Sequence, residues 1–185
     1  MKTEYRLAQA LKTMMSEENS LDNISVTDLA KKCKVNRQTF YYHFHDIYDL
    51  LTLVFLNEKI EDIEDSKNVD EMLKRIFYYY SKNKNFIKET LHSAGKDLFF
   101  EFINNNCYRT LMSLILKIDE AKELNDFEKK AIARYNAAGF AFQIIFYLDN
   151  FRSPSEEGLK QVFLSIPTNF LQKAIKNVIS KRAVQ

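Results

Sequence analysis

With 185 residues, 46% of them hydrophobic, the chain is long enough for one or two small domains with a real core and is too apolar to be a disordered polypeptide. Only 3 Gly and 2 Pro, none before Gly95, leave few places where a helix must stop, which excludes most β-rich folds and points to an all-α protein. The net charge of +2 is no strong nucleic-acid signature as a total, so the positions of the charges matter more than their sum.

Residues 3 to 16 form the first predicted helix, with Leu7, Leu11 and Met14 or Met15 on one stripe. This start reads as an amphipathic helix and not as a signal peptide. Ser25 is a good N-cap, and Asp28 stands at the third helical position near the positive helix end. Val26, Leu29, Ala30 and Cys33 then share one face of a second helix, 26 to 33. Asn36 caps a third, 37 to 43, whose Phe40 turns to the core together with Phe44 just beyond. Two short helices around a tight turn make a helix-turn-helix, a plan in which the second helix enters the DNA major groove.

The face left outside suits that role. Arg37 can fork onto a guanine edge and Gln38 onto an adenine edge. Thr39, Tyr41 and His43 can donate to phosphate oxygens, which fixes register without reading sequence. A plainly solvated polar face is the simpler alternative. Against it, Phe40, Tyr41, Tyr42, His43 and Phe44 crowd too many rings onto a short helix. Lys31, Lys32, Lys34 and Arg37 face a single acid, Asp28, between residues 25 and 45, whereas residues 56 to 71 are predominantly acidic. A basic tip and an acidic shaft would orient the molecule on DNA.

A fourth helix, 47 to 65, carries Ile47, Leu50, Leu51 and Val54 on one face and a rotated stripe of Leu53, Leu56, Ile60 and Ile63 in its later half. Two apolar faces suit a connector between a head at 1–46 and a helical body at 47–185. Asn68 caps a fifth helix, 69 to 82, and Asn85 a sixth, 86 to 93. The seventh, 97 to 117, has Phe99, Ile103, Cys107, Leu111, Leu114, Ile115 and Ile118 on one stripe. Asn125 or Asp126 starts an eighth, 126 to 150. Ser153-Pro154-Ser155-Glu156 reads as a capping box with Pro154 at the first helical position of a ninth. Pro167 interrupts it, and a last segment runs from 168 to 181.

The eighth helix is apolar nearly all round from Ala137 to Leu148, so it must be covered on more than one side. Its own core covers one side; a second subunit is expected on the other, although a central helix of a monomeric bundle would look the same. Small residues at Ala137, Ala138, Gly139 and Ala141 would let a partner helix come close, with Phe140, Ile144 and Tyr147 filling around them. The expected interface residues are Ala138, Gly139, Phe142 and Phe146. An aromatic effector pocket is expected from Tyr79, Phe102, Asn106 and Tyr135, against the alternative that these are ordinary core. Arg134, Asn136 and Gln143 argue against a membrane span in the same region. Cys33 and Cys107 read as buried free thiols in a reducing cytosol, and the chain's three histidines do not make a metal site, so no cofactor or metal is expected.

The wording Thr39-Phe40-Tyr41-Tyr42-His43-Phe44, followed by Tyr48-Asp49-Leu50-Leu51, resembles the DNA-binding domain of the TetR/AcrR family of bacterial transcriptional regulators. The likeness covers residues 5 to 55. The run through Asp46-Ile47-Tyr48-Asp49-Leu50 also resembles the branch that includes the activator of dihydroxyacetone kinase operons. The resemblance implies that Arg37 and Gln38 read bases and that Tyr41 and His43 hold phosphates. It also implies that Thr27 and Thr39 stand where the family touches DNA. It implies a homodimer on double-stranded DNA, paired through long C-terminal helices; a cytoplasmic location is expected from the lack of a signal-peptide pattern and of a membrane span. Two departures stand out. Lys34 occupies the turn position where the family has Gly; a non-Gly residue at positive φ costs about 1 kcal/mol, so the turn is either built differently or strained. Ile47 replaces a Lys at the start of the fourth helix, so that phosphate contact is missing or comes from the helix N-terminus.

These readings converge on a DNA-binding transcriptional regulator whose body responds to a small-molecule effector. A same-fold regulator whose body meets a coactivator protein is the second reading. A small helical enzyme is the remote third, since the sequence holds no Ser-His-Asp or Cys-His arrangement, no glycine-rich phosphate loop and no zinc motif.

Overall fold

The structure is a computed structural model and describes residues 2–17 and 20–182. Among these residues the chain forms ten α-helices, with short 3-10 turns and no strand. The backbone divides into two compact units, residues 1–59 with 80–102, and residues 60–79 with 103–185. The first unit therefore runs past the 46/47 boundary expected for a separate head.

In the first unit, α1 (Thr3–Ser16) packs against α2 (Val26–Cys33), α4 (Ile47–Asn57) and α6 (Lys84–Leu91), while α3 (Arg37–His43) packs on α2. The cause is the stripe on α1: Leu7, Leu11 and Met15 are fully buried, as are Leu29, Phe40, Leu50 and Leu51 on the helices that follow. Phe55 on α4 lies 5.5 Å from the Phe86 ring of α6 and 5.6 Å from Phe102, near the start of α7 (Lys96–Leu116). Lys12 joins the same layer, with its Nζ 2.7 Å from Glu58 and 5.4 Å from the centre of the Phe86 ring.

Three local expectations need correction. Helix α4 stops at Asn57 and not at 65. Asn57 turns its side-chain amide back onto the Leu53 carbonyl at 2.7 Å, and Glu58, Glu61, Asp62, Glu64 and Asp65 would crowd negative charge at a negative helix end. Leu56 is accordingly 76% exposed, not part of a second apolar face. The sixth helix begins at Lys84 after Asn83, and Asn85 donates to the Ser16 carbonyl at 3.1 Å instead of capping. The ninth, α9 (Glu156–Val162), is capped by Ser155, which accepts from Gly158 N–H at 3.0 Å; Pro154 lies before the cap.

In the second unit the acidic stretch forms a 3-10 turn, Ile63–Asp65, reached through Asp62 at φ 52. Arg75 of α5 (Val69–Lys82) approaches Asp62 at 3.6 Å, and Arg109 of α7 holds Glu64 at 3.0 Å. The buried Thr110 hydroxyl donates to the Ile63 carbonyl at 3.2 Å. Two arginines and one hydroxyl thus hold a segment that would otherwise repel itself.

The long α8 (Asp126–Asn150) opens on a reciprocal capping box between Asn125 and Glu128, and packs on α9 and on α10 (Phe170–Arg182). Tyr147 of α8 clamps the start of α9: its hydroxyl oxygen accepts from Ser155 N–H at 3.0 Å. A Cβ on Gly158 would lie 2.1 Å from that oxygen, which explains a glycine inside a helix.

Candidate DNA-binding surface and body sites

The helix-turn-helix is held by its caps. Ser25 accepts from Asp28 N–H at 3.2 Å while the Asp28 carboxylate accepts from Ser25 N–H at 3.2 Å. The Ser25 hydrogen bonds hold the Asp28 carboxyl below its ordinary value. Lys34 ends α2 in the left-handed region at φ 53, and Val35 N–H reaches the Ala30 carbonyl at 2.9 Å. This is the C-terminal motif usually made by glycine. The turn therefore keeps its geometry and Lys34 carries the strain.

Asn36 accepts from Thr39 N–H at 2.7 Å and so sets the first turn of α3. From that turn Arg37, Gln38, Tyr41 and Tyr42 project into solvent, while Phe40 is fully buried. The Arg37 guanidinium lies 5.9 Å from the centre of the Tyr41 ring, and its Nη2 reaches the Tyr41 hydroxyl oxygen at 3.5 Å. That contact uses a lone pair of Tyr41 and leaves its O–H free to donate. Phe40 meets Tyr41 edge-on at 5.5 Å, which steadies the ring from beneath.

The other three expected contacts are less open. Thr27 is half-buried in the first turn of α2. Thr39 is half-buried and its hydroxyl already donates to Asn36 at 2.8 Å. His43 is half-buried, with Nδ1 3.1 Å from the Glu4 carboxylate of α1. In the neutral ring that contact puts the proton on Nδ1, so Nε2 can donate to a phosphate only in the imidazolium form. Glu4 was invisible to sequence reasoning because it lies 39 positions before its partner. At the start of α4, Asp46 accepts from Asp49 N–H at 2.8 Å and Asp49 accepts from His45 N–H at 3.1 Å. Two carboxylates thus occupy the helix end at Ile47, where a lysine is expected from the sequence likeness.

In the body, the expected partner face and the inner face of α8 separate cleanly. Ala137, Phe140, Ala141, Ile144 and Tyr147 are buried in the unit's own core, so the close approach expected at Ala137 and Ala141 and the filling expected from Phe140, Ile144 and Tyr147 are used within the chain. Ala138, Gly139, Phe142 and Phe146 lie on the opposite, exposed side. Phe142 and Phe146 stack at 6.3 Å with 18° between planes, and a Cβ on Gly139 would meet nothing within 4 Å. Phe127 and Tyr135 continue the same exposed stripe.

The expected pocket residues differ in burial. Tyr79, Phe102 and Asn106 are buried, but Tyr135 is 83% exposed on α8. A cavity of about 490 Å³ lies in the second unit, and none of the four lines it; Phe140, Phe163 and Phe170 do. Burial pushes the Cys107 thiol up to about 12 and raises that of Cys33 as well. Among the described residues no group of three His, Cys, Asp or Glu is placed to hold a metal ion, and no helix is long and apolar enough to cross a membrane.

Comparison with known proteins gives two family matches and two named relatives. Residues 13–54 match a family model described as "Bacterial regulatory proteins, tetR family", and residues 67–168 match one described as "Transcriptional regulator C-terminal region". The HTH-type dhaKLM operon transcriptional activator DhaS of Lactococcus lactis subsp. lactis (strain IL1403) is 31% identical over 143 residues, 74% of each protein. A solved structure, dihydroxyacetone kinase operon activator DhaS, shares 28% identity. It superposes with a TM-score of 0.61 over 94% of this chain and 96% of its own.

Proposed function

Because the chain belongs to the TetR family of bacterial transcriptional regulators, we propose that it acts in the cytoplasm as a homodimer, reading a palindromic DNA site under the control of an effector bound by its body. The observation that carries the reading is the exposed set Arg37, Gln38, Tyr41 and Tyr42 on a short helix fixed at its start by Asn36 and from beneath by Phe40. Arg37 and Gln38 meet base edges; Tyr41 and Tyr42 meet the backbone. Thr27, Thr39 and His43 contribute contacts at the margin of this face, Thr39 by releasing Asn36. The functional division is a DNA-binding head at 1–46 and a regulatory and dimerising body at 47–185.

Dimerisation is supported by the uncovered aromatic stripe on α8, with Ala138, Gly139, Phe142 and Phe146 at its centre. One helix-turn-helix reads only a half-site, and a two-fold pair reads both. An effector would act by moving α4, whose Phe55 is wedged among Phe86, Phe99 and Phe102. A coactivator protein in place of a small molecule is the second reading, motivated by the likeness to an operon activator. Likeness to an operon activator favours activation over repression, and the families matched are those of regulators, so catalysis has no part in the proposal.

The test is selection of bound duplexes from a random pool, followed by titration of the winner. The expected product is an inverted repeat bound by two chains, with affinity falling steeply with salt but staying above that for random DNA. Recovery of no common sequence would refute specific recognition.

A further inference from the structure

Among the described residues, two that are not glycine take a left-handed backbone: Lys34 at φ 53 and Asp62 at φ 52. That conformation crowds Cβ against the backbone, and it persists where the side chain has a task or a compensating contact. Asp62 has a contact, since its carboxylate lies 3.6 Å from Arg75. The Lys34 side chain is exposed and makes no hydrogen bond or ion pair among the described residues. The turn itself does not need it. Two backbone bonds hold the turn, Lys34 N–H to the Lys31 carbonyl at 3.1 Å and Val35 N–H to the Ala30 carbonyl at 2.9 Å, and glycine would make both without strain. The negative end of α2 does not need it either, because Lys31 and Lys32 already stand in the last turn. The ammonium of Lys34 is therefore left with a partner outside the chain.

The charges on either side of α3 indicate what that partner is. The chain leaving α3 carries Asp46 and Asp49, which repel phosphate. The chain entering it carries Lys31, Lys32 and Lys34. Lys32 is held by Glu17 at 3.2 Å, and Lys31 acts on the Asp28 carboxylate one turn away. Lys34 is the uncommitted cation of the three, three residues before Arg37. Three residues span at most about 11 Å between Cα atoms, and the major groove is about 12 Å wide. With Arg37 at a base edge, an extended lysine side chain at position 34 reaches the phosphates that wall the groove. We propose that Lys34 is a DNA-backbone contact, its ammonium paired with a phosphate at the edge of the groove that α3 enters, and that the turn keeps its strain for this contact. The proposal rests on the DNA-binding reading above and adds to it a residue of the turn, which sets affinity and reads no base.

Four variants test it. Lys34→Gly removes strain and charge together, Lys34→Asn removes the charge from a residue type that tolerates the left-handed backbone, and Lys34→Arg keeps the charge. Lys173→Ala removes one exposed charge from α10, away from the turn. Each is melted without DNA and titrated by anisotropy on the selected and random duplexes over a series of salt concentrations. Lys34→Gly should raise Tm. Lys34→Gly and Lys34→Asn should each flatten the slope of log K against log salt by about 0.9 per chain bound, equally on both duplexes. Lines that meet near about 1 M salt then give about eightfold weaker binding per chain at about 0.1 M. Lys34→Arg and Lys173→Ala should keep the original slope. An unchanged slope in the Gly and Asn variants, an equal loss from Lys173→Ala, or a shift in base preference would overturn the proposal. So would a lower Tm for Lys34→Gly, which would assign the lysine to the helix end. Phosphate contacts need no sequence, so the random duplex decides the matter even if selection yields no common site. In that case only the sequence-reading function fails, whereas a chain that binds no duplex at all overturns both.

Discussion

Gly139 offers a substitution whose sign depends on whether α8 meets a partner. In a single chain a Cβ at this position meets nothing within 4 Å. Alanine in an exposed helix interior is more stable than glycine by about 0.5–1 kcal/mol. Gly139→Ala should therefore raise single-chain stability by that amount. With a urea slope near the upper small-protein value of about 3 kcal/mol/M, the midpoint should rise by about 0.2–0.3 M. In a dimer the same methyl meets the other helix, and it does so twice across a two-fold axis. Overpacking costs about 1–3 kcal/mol for the two contacts together, which raises the dimer dissociation constant by about fivefold to 160-fold. Sedimentation equilibrium and urea unfolding at two protein concentrations read both quantities. Phe146→Asp is the companion variant: Phe146 is 52% exposed in the single chain, so the charge costs little there, but it would be buried unpaired in the dimer at a cost of several kcal/mol. A raised urea midpoint with an unchanged dissociation constant would remove Gly139 from the interface. An unsubstituted chain that is monomeric at micromolar concentration would refute the dimer altogether.

Arg37→Ala should cost about 1–3 kcal/mol on the selected site and flatten preference at one base pair per half-site, whereas Tyr41→Phe should weaken selected and random duplexes alike without lowering Tm. Anisotropy titrations on both duplexes separate these outcomes, and a uniform loss for Arg37→Ala would make it a phosphate contact. Gly158→Ala should lower Tm despite better helix propensity, because the new Cβ would sit 2.1 Å from the Tyr147 hydroxyl oxygen, and the loss should shrink in a Tyr147→Phe background. A rise in Tm would contradict the close approach of α8 and α9. The Cys107 thiol, pushed up to about 12 by burial, should resist a thiol reagent at pH 8 in the folded chain and react once the chain is unfolded in guanidinium; rapid native-state labelling would contradict its burial.

The elements legible in the sequence are those whose ends are written in side chains. The second and third helices fall where Ser25, Asp28 and Asn36 placed them, because each cap satisfies a backbone N–H that periodicity alone does not mention. The fourth helix was read eight residues too long because Leu56, Ile60 and Ile63 keep a helical spacing through an acidic stretch. The end at Asn57 is marked by its own amide, and the acidic residues that follow are held by Arg75 and Arg109, which come from distant segments. Pro154 was placed inside a helix that Ser155 starts one residue later. On α8 the all-round apolar run was legible, but its two faces were not. Phe140 and Phe142 differ by two positions, and only packing against α9 and α10 decides which turns inward. The cavity was missed for a related reason: Phe163 and Phe170 flank Pro167 in a stretch without periodicity, and only the fold brings them to Phe140.

The most direct test of paired, sequence-reading heads is helical phasing. Two duplexes carry the selected half-sites, one with centres about 34 Å apart and one with about half a turn of DNA inserted between them. Anisotropy at fixed salt gives the affinity, and sedimentation gives the number of chains bound. The account predicts two chains on the first duplex and at least tenfold weaker binding to the second. Equal affinity for both would mean that the heads act independently, and would contradict recognition by a two-fold dimer.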